Sequence, residues 1–266
     1  MAEKLIIART AEEAIRAKTG ENVYLAGGTE IMRLGSSVKS DAFVSLRKIP
    51  SMHEITAEAG NVCIGAACTF QEILDSDIVP CYLKEAAKFM ASRTKRNMAT
   101  IGGNIAIAGD DSFLLPTHIA VGAELVLKDL SGEERVSIID FLSQTDKYKG
   151  KLIKSVCLPA GSISVKSSRS ANTAQSHARL TACLALRDGQ YSAAAAVKNS
   201  GIYKFSKLAA AMQEADPSED DIIALVKADE SITLQDDLLY GGADYRRYLI
   251  GITFALMYEE LKGGRA

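Results

Sequence analysis

The sequence predicts a protein of the α+β class that is built from two domains. Three observations support this: a chain of 266 residues with 47% apolar residues, which can bury more than one core, an alternation of strand-like and helix-like segments up to about residue 160, and a change of composition at residues 159–176. That stretch is rich in small, polar and basic residues. It predicts a linker between a domain at 1–160 and a smaller one at 161–266.

The first domain is predicted to alternate strands and helices. KLIIA at 4–8 has strand composition, and Thr10 with Glu13 forms a capping-box pattern that begins a helix ending before Gly20. A second strand, VYLA, follows at 23–26. Further elements are predicted in chain order: a hairpin over 53–67, a short helix capped by Thr69 and Glu72, a helix over 78–92, a helix over 111–123, a strand pair over 124–138 and a strand over 152–159.

The second domain is predicted to begin with a hairpin over 179–198 that turns at Asp188-Gly189. Helices are expected at about 205–215, 218–228 and 244–262.

Composition and charge narrow the classes of function. The net charge of −2 lacks the basic excess that nucleic-acid binding requires. The longest apolar runs are too short for a membrane span, and the N-terminal run is too short for a secretory signal, so we expect a cytoplasmic protein. The cysteines at 63, 68, 81, 157 and 183 stand among apolar neighbours without a C-x-x-C pattern, and we interpret them as buried thiols. Together with the three histidines they show no metal-ligand spacing, so no zinc or iron–sulfur site is expected on this chain.

Two glycine pairs, Gly27-Gly28 and Gly102-Gly103, are the main functional signal. Each is predicted to form a turn after a strand-like run, where main-chain N–H groups can approach an anion. Thr29, Thr100 and Asn104 flank the pairs with small polar side chains. Together the two turns could hold one pyrophosphate from both sides, although either alone could be a simple tight loop. The Rossmann and P-loop fingerprints and the serine-nucleophile elbow are absent from the sequence.

Four segments together resemble a known family: LAGGTEI (25–31), RNMATIGGNIA (96–106), VKSSR (165–169) and YRRYLIGITFALMYEEL (245–261). They are similar to the FAD-binding subunit of molybdenum hydroxylases, the group that includes xanthine dehydrogenase and carbon monoxide dehydrogenase. The resemblance implies an FAD-binding domain of two α/β subdomains followed by a small α+β C-terminal domain. The chain looks most similar to the short FAD subunit of anaerobic purine-degradation gene sets.

The resemblance also implies which residues bind FAD. The first segment would surround the pyrophosphate through its main-chain amides, and the second would contact the phosphates and the ribityl chain. Ile153 and Lys166 match positions near the isoalloxazine ring, where a cation favours the reduced flavin; the alternative for Lys166 is a solvated side chain in a polar linker. The residues expected in the two loops are Leu25, Ala26, Gly27, Gly28, Thr29, Glu30, Ile31 and Met32, and then Thr100, Ile101, Gly102, Gly103 and Asn104.

The sequence departs from the family at two places. Phe113 stands where most members have an aspartate, and Met90 stands at a position that can be aromatic. Asp110 and Asp111, which precede Phe113, could be an acid–base pair or a solvated helix N-terminus. The basic run of Arg93, Lys95 and Arg96 could be a solvated loop or part of a docking face for an iron–sulfur partner.

By this resemblance the chain is an oxidoreductase subunit. It would pass electrons between a partner's [2Fe–2S] clusters and NAD(P) or another acceptor, in a complex with an iron–sulfur subunit and a molybdopterin subunit. One alternative is a stand-alone FAD oxidoreductase that acts directly on a small substrate. Another is a scaffold that keeps the fold without flavin.

Overall fold

A computed structural model of the chain describes residues 4–33, 36 and 38–263. Its first half contains β1 (Lys4–Ile7), α1 (Ala11–Ala17), β2 (Val23–Leu25), β3 (Ala42–Ser45), a short 3-10 helix (Pro50–Met52), β4 (Ile55–Glu58), β5 (Asn61–Gly65), α2 (Phe70–Asp75), α3 (Cys81–Lys88), α4 (Arg93–Arg96), α5 (Ile101–Ile107) and α6 (Leu115–Val121). Its second half contains β6 (Glu124–Lys128), β7 (Glu133–Ser137), α7 (Ile138–Ser143), β8 (Leu152–Leu158), β9 (Ile163–Ser170), β10 (Leu180–Arg187), β11 (Gln190–Val197), β12 (Gly201–Lys204), α8 (Ser206–Glu214), α9 (Glu219–Ala228) and α10 (Ala243–Gly263).

The described residues divide into two compact units. The first takes in the described parts of Met1–Val79, Met90–Ile107 and Gly122–Ala160, and the second takes in those of Pro80–Phe89, Ala108–Val121 and Gly161–Ala266. The second unit therefore includes two segments from the first half of the chain. The division into domains at 1–160 and 161–266 stays a prediction about independent folding.

The first unit contains two sheets. One is a parallel sheet of three strands in the order β1-β3-β2, and the other has five strands in the order β4-β5-β8-β6-β7, paired antiparallel. Thr69 begins α2 with the predicted capping box, in which its hydroxyl accepts from the Glu72 amide and the Glu72 carboxylate accepts from the Thr69 amide. The parallel strand β3 was not predicted from the sequence.

The second unit is an antiparallel sheet in the order β12-β11-β10-β9 with helices packed on it. Alternate residues of β10 and β11 form one core with α8, α9 and α10, which includes Leu184, Phe205 and Phe254. The predicted hairpin turn at Asp188-Gly189 is present, and both residues have positive φ. The predicted helices of this region are also present, as α8, α9 and α10.

Residues 163–170 are a strand and not the polar linker that their composition predicts. β9 pairs with β10 along its whole length, from Ser170 opposite Leu180 to Ile163 opposite Arg187. It is an edge strand whose side chains are mostly half-buried. Its small polar residues lack the alternation that identifies a strand in a sequence, because here the pairing partner and not local propensity decides the conformation.

The interpretation of all five cysteines as buried thiols is wrong. Cys63 and Cys157 form a disulfide between β5 and β8, with their Cα atoms 4.0 Å apart, and Cys81 is exposed. Cys68 and Cys183 are buried free thiols, as expected. Because Cys63 and Cys157 are separated by 94 residues, only the strand register reveals the pair.

Candidate functional site

The first glycine pair lies at the end of β2, in the first unit. Leu25 closes the strand, and its carbonyl accepts a hydrogen bond from the Leu46 amide at 2.9 Å. Gly28 has φ +74°, a conformation that side chains rarely adopt. The chain then turns, so that the Met32 amide donates to the Gly28 carbonyl at 2.9 Å. The glycines therefore form the predicted turn after a strand.

The second glycine pair does not form a turn after a strand. Gly102 and Gly103 lie in the first turn of α5, and Thr100 stands just before that helix with its hydroxyl accepting from the Gly103 amide at 3.1 Å. The sequence predicted a turn here because glycine, which has no Cβ, lets a chain turn sharply. Here the helix forms because the Ile101 and Gly102 amides donate to the carbonyls of Cys68 and Ala66.

The two glycine segments meet inside the first unit. A Cβ built on Gly27 would stand 1.8 Å from the Met98 carbonyl oxygen, so only glycine allows the backbone of residue 27 to approach the stretch before α5 this closely. Gly102 has the same restriction against Ala66, whose Cβ would be 2.6 Å from a Cβ on Gly102. Gly27 and Gly102, one glycine of each pair, are therefore required by close contacts within the protein.

The other glycine of each pair is approached by side chains and not by backbone. The atom nearest to a Cβ on Gly103 would be the Thr100 hydroxyl oxygen at 2.8 Å, and those nearest to one on Gly28 would be side-chain carbons of Met32 and Leu25 at 3.2 and 3.3 Å. Within the described part of the chain, the main-chain amides of Gly27, Gly28 and Thr29 donate no hydrogen bond. Successive unpaired amides around a residue of positive φ are typical of an anion-binding concavity.

The remaining expected site residues of the first unit have varied surroundings. Glu30 forms an exposed ion pair with Arg33 at 3.1 Å. Ala26, Ile31 and Asn104 are half-buried, and Asn104 donates its amide to the Thr100 carbonyl. Ile153 is buried in β8 opposite Leu127.

Lys166 lies on β9 in the second unit and is ion-paired. Its Nζ is 3.0 Å from an Oε of Glu260 on α10, and both side chains are partly exposed. The carboxylate offsets part of the positive charge that the resemblance assigns to this position. Lys166 is therefore a strand residue with a partly exposed counter-ion and does not lie in a linker.

Asp110 and Asp111 hold parts of the second unit together, and they precede α6 by several residues instead of forming a solvated helix N-terminus. Asp110 accepts from the Lys198 ammonium and from the Asn199 amide, each at 2.8 Å. Asp111 contacts His177 and, at 3.2 Å, Lys198. Burial raises the pKa of Asp111, but the charge of Lys198 and the contact with His177 outweigh it and lower that pKa.

Phe113 packs beside a cation. The Arg169 guanidinium carbon is 5.5 Å from the centre of its ring, within the range of a cation–π contact. Arg169 lies on β9, in the quoted segment VKSSR. Met90 is half-buried, and its carbonyl accepts from Arg96 at 2.7 Å.

The basic run forms the one-turn helix α4 and not a solvated loop. Arg96 donates to the carbonyls of Met90 and Ala91 and to the Gln71 side chain, so it is held within the first unit, while Arg93 and Lys95 are exposed.

Sequence reasoning missed Met98 and Ala66, the residues that position the two glycine pairs. Neither carries a chemical signal, because the contacts are made by the Met98 carbonyl and by the backbone and Cβ of Ala66. In the described residues, no group of three or more His, Cys, Asp or Glu side chains could hold a metal ion. No described helix is long and apolar enough to span a membrane.

Unpaired main-chain amides at a turn of positive φ, in a first unit of mixed sheets and helices, are typical of a protein that binds the phosphate of a nucleotide. Residues 2–161 match the family described as the FAD binding domain in molybdopterin dehydrogenase. The chain belongs to this family, and the expectation of FAD as cofactor is confirmed.

Two curated relatives show how far the similarity extends. The chain is 32% identical to "Uncharacterized protein YgfM" of Escherichia coli K12 over 146 residues, 54% of this chain and 55% of that protein. It is 28% identical to "Nicotinate dehydrogenase FAD-subunit" of Eubacterium barkeri over 125 residues, 44% of this chain and 41% of that protein. The chain spans about half the length of the curated relatives it matches, or less.

A solved structure extends the similarity of fold to nearly the whole chain. Quinoline 2-oxidoreductase from Pseudomonas putida 86 superposes with a TM-score of 0.88 at 19% identity, covering 99% of this chain and 98% of that one. At this identity the match concerns the fold alone. The predicted fold class is confirmed by it.

Proposed function

We propose that this chain is the FAD-binding electron-transfer subunit of a multi-subunit oxidoreductase of the molybdenum hydroxylase type. It passes electrons between the [2Fe–2S] clusters of an iron–sulfur subunit and NAD(P) or another acceptor, next to a molybdopterin subunit. The proposal is supported by membership of the family and by a relative whose name is that of an FAD-subunit.

The observation that favours this function most is the anion-binding turn at Gly27-Gly28. The amides of Gly27, Gly28 and Thr29 would donate to the FAD pyrophosphate, which therefore needs no charged side chain at this turn. Gly103 and the Thr100 hydroxyl that packs against it would border the same cofactor. The Ile101 and Gly102 amides already have acceptors in the protein, so their role is to hold α5 in place.

The cofactor supplies the redox chemistry, since a flavin can take up two electrons and release them one at a time. This chain's residues bind and orient it. Ile153 and Lys166 would border the ring system, and the ion pair with Glu260 would moderate the effect of Lys166 on the charge of the reduced ring.

The first test concerns the cofactor site. Gly28→Val should abolish FAD retention, because it places a branched side chain at φ +74° and beside the unpaired amides. Gly189→Val is the matched control: its φ is +83° and nothing lies within 4 Å of its Cβ position, so it introduces similar backbone strain in the β10–β11 hairpin. Flavin absorbance after gel filtration is the measurement. If the Gly28 variant keeps as much FAD as the Gly189 variant, the turn does not bind the cofactor.

The second test concerns electron transfer. Reduction of the bound flavin is followed by anaerobic absorbance on addition of NADH or of the reduced iron–sulfur subunit expressed from the same gene set. We expect reduction by at least one of them and co-purification of the three subunits. Rapid flavin reduction by a small organic substrate without partner subunits would instead identify a stand-alone oxidoreductase.

A further inference from the structure

We propose that the Cys63–Cys157 disulfide is a redox-sensitive clamp that sets how firmly the chain retains FAD. This inference rests on the proposed function, because it assumes that FAD is held at the glycine pairs. The two cysteines lie directly opposite each other on the antiparallel strands β5 and β8.

The disulfide lies close in sequence to residues 66–68, the segment after β5 whose carbonyls accept hydrogen bonds from the first amides of α5. Two residues after Cys63, β5 ends at Gly65, and the chain continues through Ala66 and Cys68, whose carbonyls accept from the Gly102 and Ile101 amides at 2.9 and 3.0 Å. These two hydrogen bonds fix the first turn of α5. The second glycine pair is therefore attached to the strand end that begins at the disulfide.

The other strand of the disulfide, β8, is hydrogen-bonded to the same segment, residues 66–68. The Ala66 amide donates to the Lys154 carbonyl of β8 at 2.9 Å, three residues before Cys157, and the register continues to Gly65 opposite Ser155. Ile153, expected beside the flavin ring, precedes Lys154 on β8. A bond between residues 63 and 157 thus joins the strand that leads to the acceptors of the α5 amides to the strand that carries Ile153.

Cys63 is the more exposed of the two cysteines: it is half-buried, whereas Cys157 is buried. A dithiol reductant would attack the Cys63 sulfur as its thiolate, forming a mixed disulfide with Cys63 and releasing Cys157 as a thiolate that takes up a proton. The second thiolate of the reductant then attacks its own bonded sulfur and releases Cys63. The protein gains two electrons and two protons, and the dithiol is oxidised to a disulfide.

Breaking the disulfide should make residues 66–68 and the first turn of α5 more mobile, and so weaken FAD retention. Loss of a cross-link also stabilises the unfolded chain, so the melting temperature should fall by about 5–10 °C. We expect FAD to dissociate severalfold faster from the reduced chain than from the oxidised one. The other three cysteines, at 68, 81 and 183, are free thiols and should not contribute.

The experiment uses the full chain with bound FAD, treated with dithiothreitol or left oxidised. Thiol titration after denaturation should count three thiols in the oxidised protein and five in the reduced one. FAD release on dilution is followed by the rise in flavin fluorescence. The double variant Cys63→Ser/Cys157→Ser should release FAD at the fast rate with or without dithiothreitol, and Cys81→Ser should respond as the unmodified chain does.

Two outcomes would overturn the proposal. One is a count of five thiols in protein purified under oxidising conditions. The other is equal FAD release from the oxidised and reduced chains while Gly28→Val loses its flavin, because the cofactor would then be at the glycine turn without depending on the disulfide. Flavin retention by Gly28→Val would instead show that FAD is not held at the glycine turn, which is a failure of the proposed cofactor site and not of the disulfide.

Discussion

The Met98 carbonyl oxygen stands 1.8 Å from the place where a Cβ on Gly27 would be. This contact joins the strand β2, which leads into the first glycine pair, to the stretch that leads into the second. The backbone of Gly27 is thus packed closely against the backbone of Met98.

Gly27→Ala should therefore destabilise the chain and release its flavin. The added methyl group meets backbone atoms, which cannot rotate away, and overpacking of this kind costs about 1–3 kcal/mol or more. Urea unfolding and flavin absorbance are the measurements. Gly263→Ala, where nothing lies within 4 Å, is the control and should leave both unchanged. A Gly27→Ala protein of ordinary stability would show that the two segments separate easily.

Lys166 and Glu260 should shift the flavin midpoint potential in opposite directions. If the ammonium lies near the ring, Lys166→Ala removes a charge that favours the reduced flavin and lowers the potential, on the order of tens of millivolts. Glu260→Gln removes the counter-ion 3.0 Å away and raises it. Redox titration by visible absorbance measures both, with the exposed Lys204→Ala as control. Identical potentials in all three variants would restrict Lys166 to a surface ion pair.

Replacing Phe113 by the family's aspartate should be tolerated by the fold. A carboxylate at this position would have the Arg169 guanidinium, now 5.5 Å from the ring centre, as a partner that offsets its desolvation. Phe113→Leu keeps the apolar volume but loses the cation–π contact, at a cost of about 0.5–1 kcal/mol. Urea unfolding compares the two variants. A Phe113→Asp chain much less stable than Phe113→Leu would mean that Arg169 does not reach the new carboxylate.

His118 should limit stability in acid. It is fully buried on α6, neither ring nitrogen has a hydrogen-bond partner in the described part of the chain, and burial lowers its pKa to about 3. In the unfolded chain, His118 has a pKa near 6.5 and binds a proton that it does not bind in the folded chain. The free energy of unfolding should therefore fall by about 1.4 kcal/mol per pH unit as the pH drops from 6.5 towards 3.

His118→Leu should reduce the fall in the free energy of unfolding below pH 6.5, because no proton is then taken up at residue 118 on unfolding. Urea unfolding between pH 4 and 7 measures the slope. Equal slopes in His118→Leu and the unmodified chain would show that His118 is protonated in the folded protein.

The order of elements was largely predictable from the sequence because it depends on local signals. Thr69 with Glu72 caps α2, Asp188-Gly189 turns a hairpin, and apolar periodicity marks α9 and α10. The spaced glycine pairs also identified the family, since glycine has few substitutes where a backbone must approach another group closely.

Only the tertiary structure decided which segments, distant in the sequence, contact one another. β9 is a strand because it pairs with β10. Gly102 and Gly103 are helical because the carbonyls of Ala66 and Cys68 accept hydrogen bonds from the first amides of α5. Cys63 lies opposite Cys157 only because of the register of β5 and β8. Gly27, singled out by the sequence as an anion-binding residue, is required at its position by the Met98 carbonyl. A sequence records residue types along the chain, whereas these contacts depend on which backbones approach each other after folding.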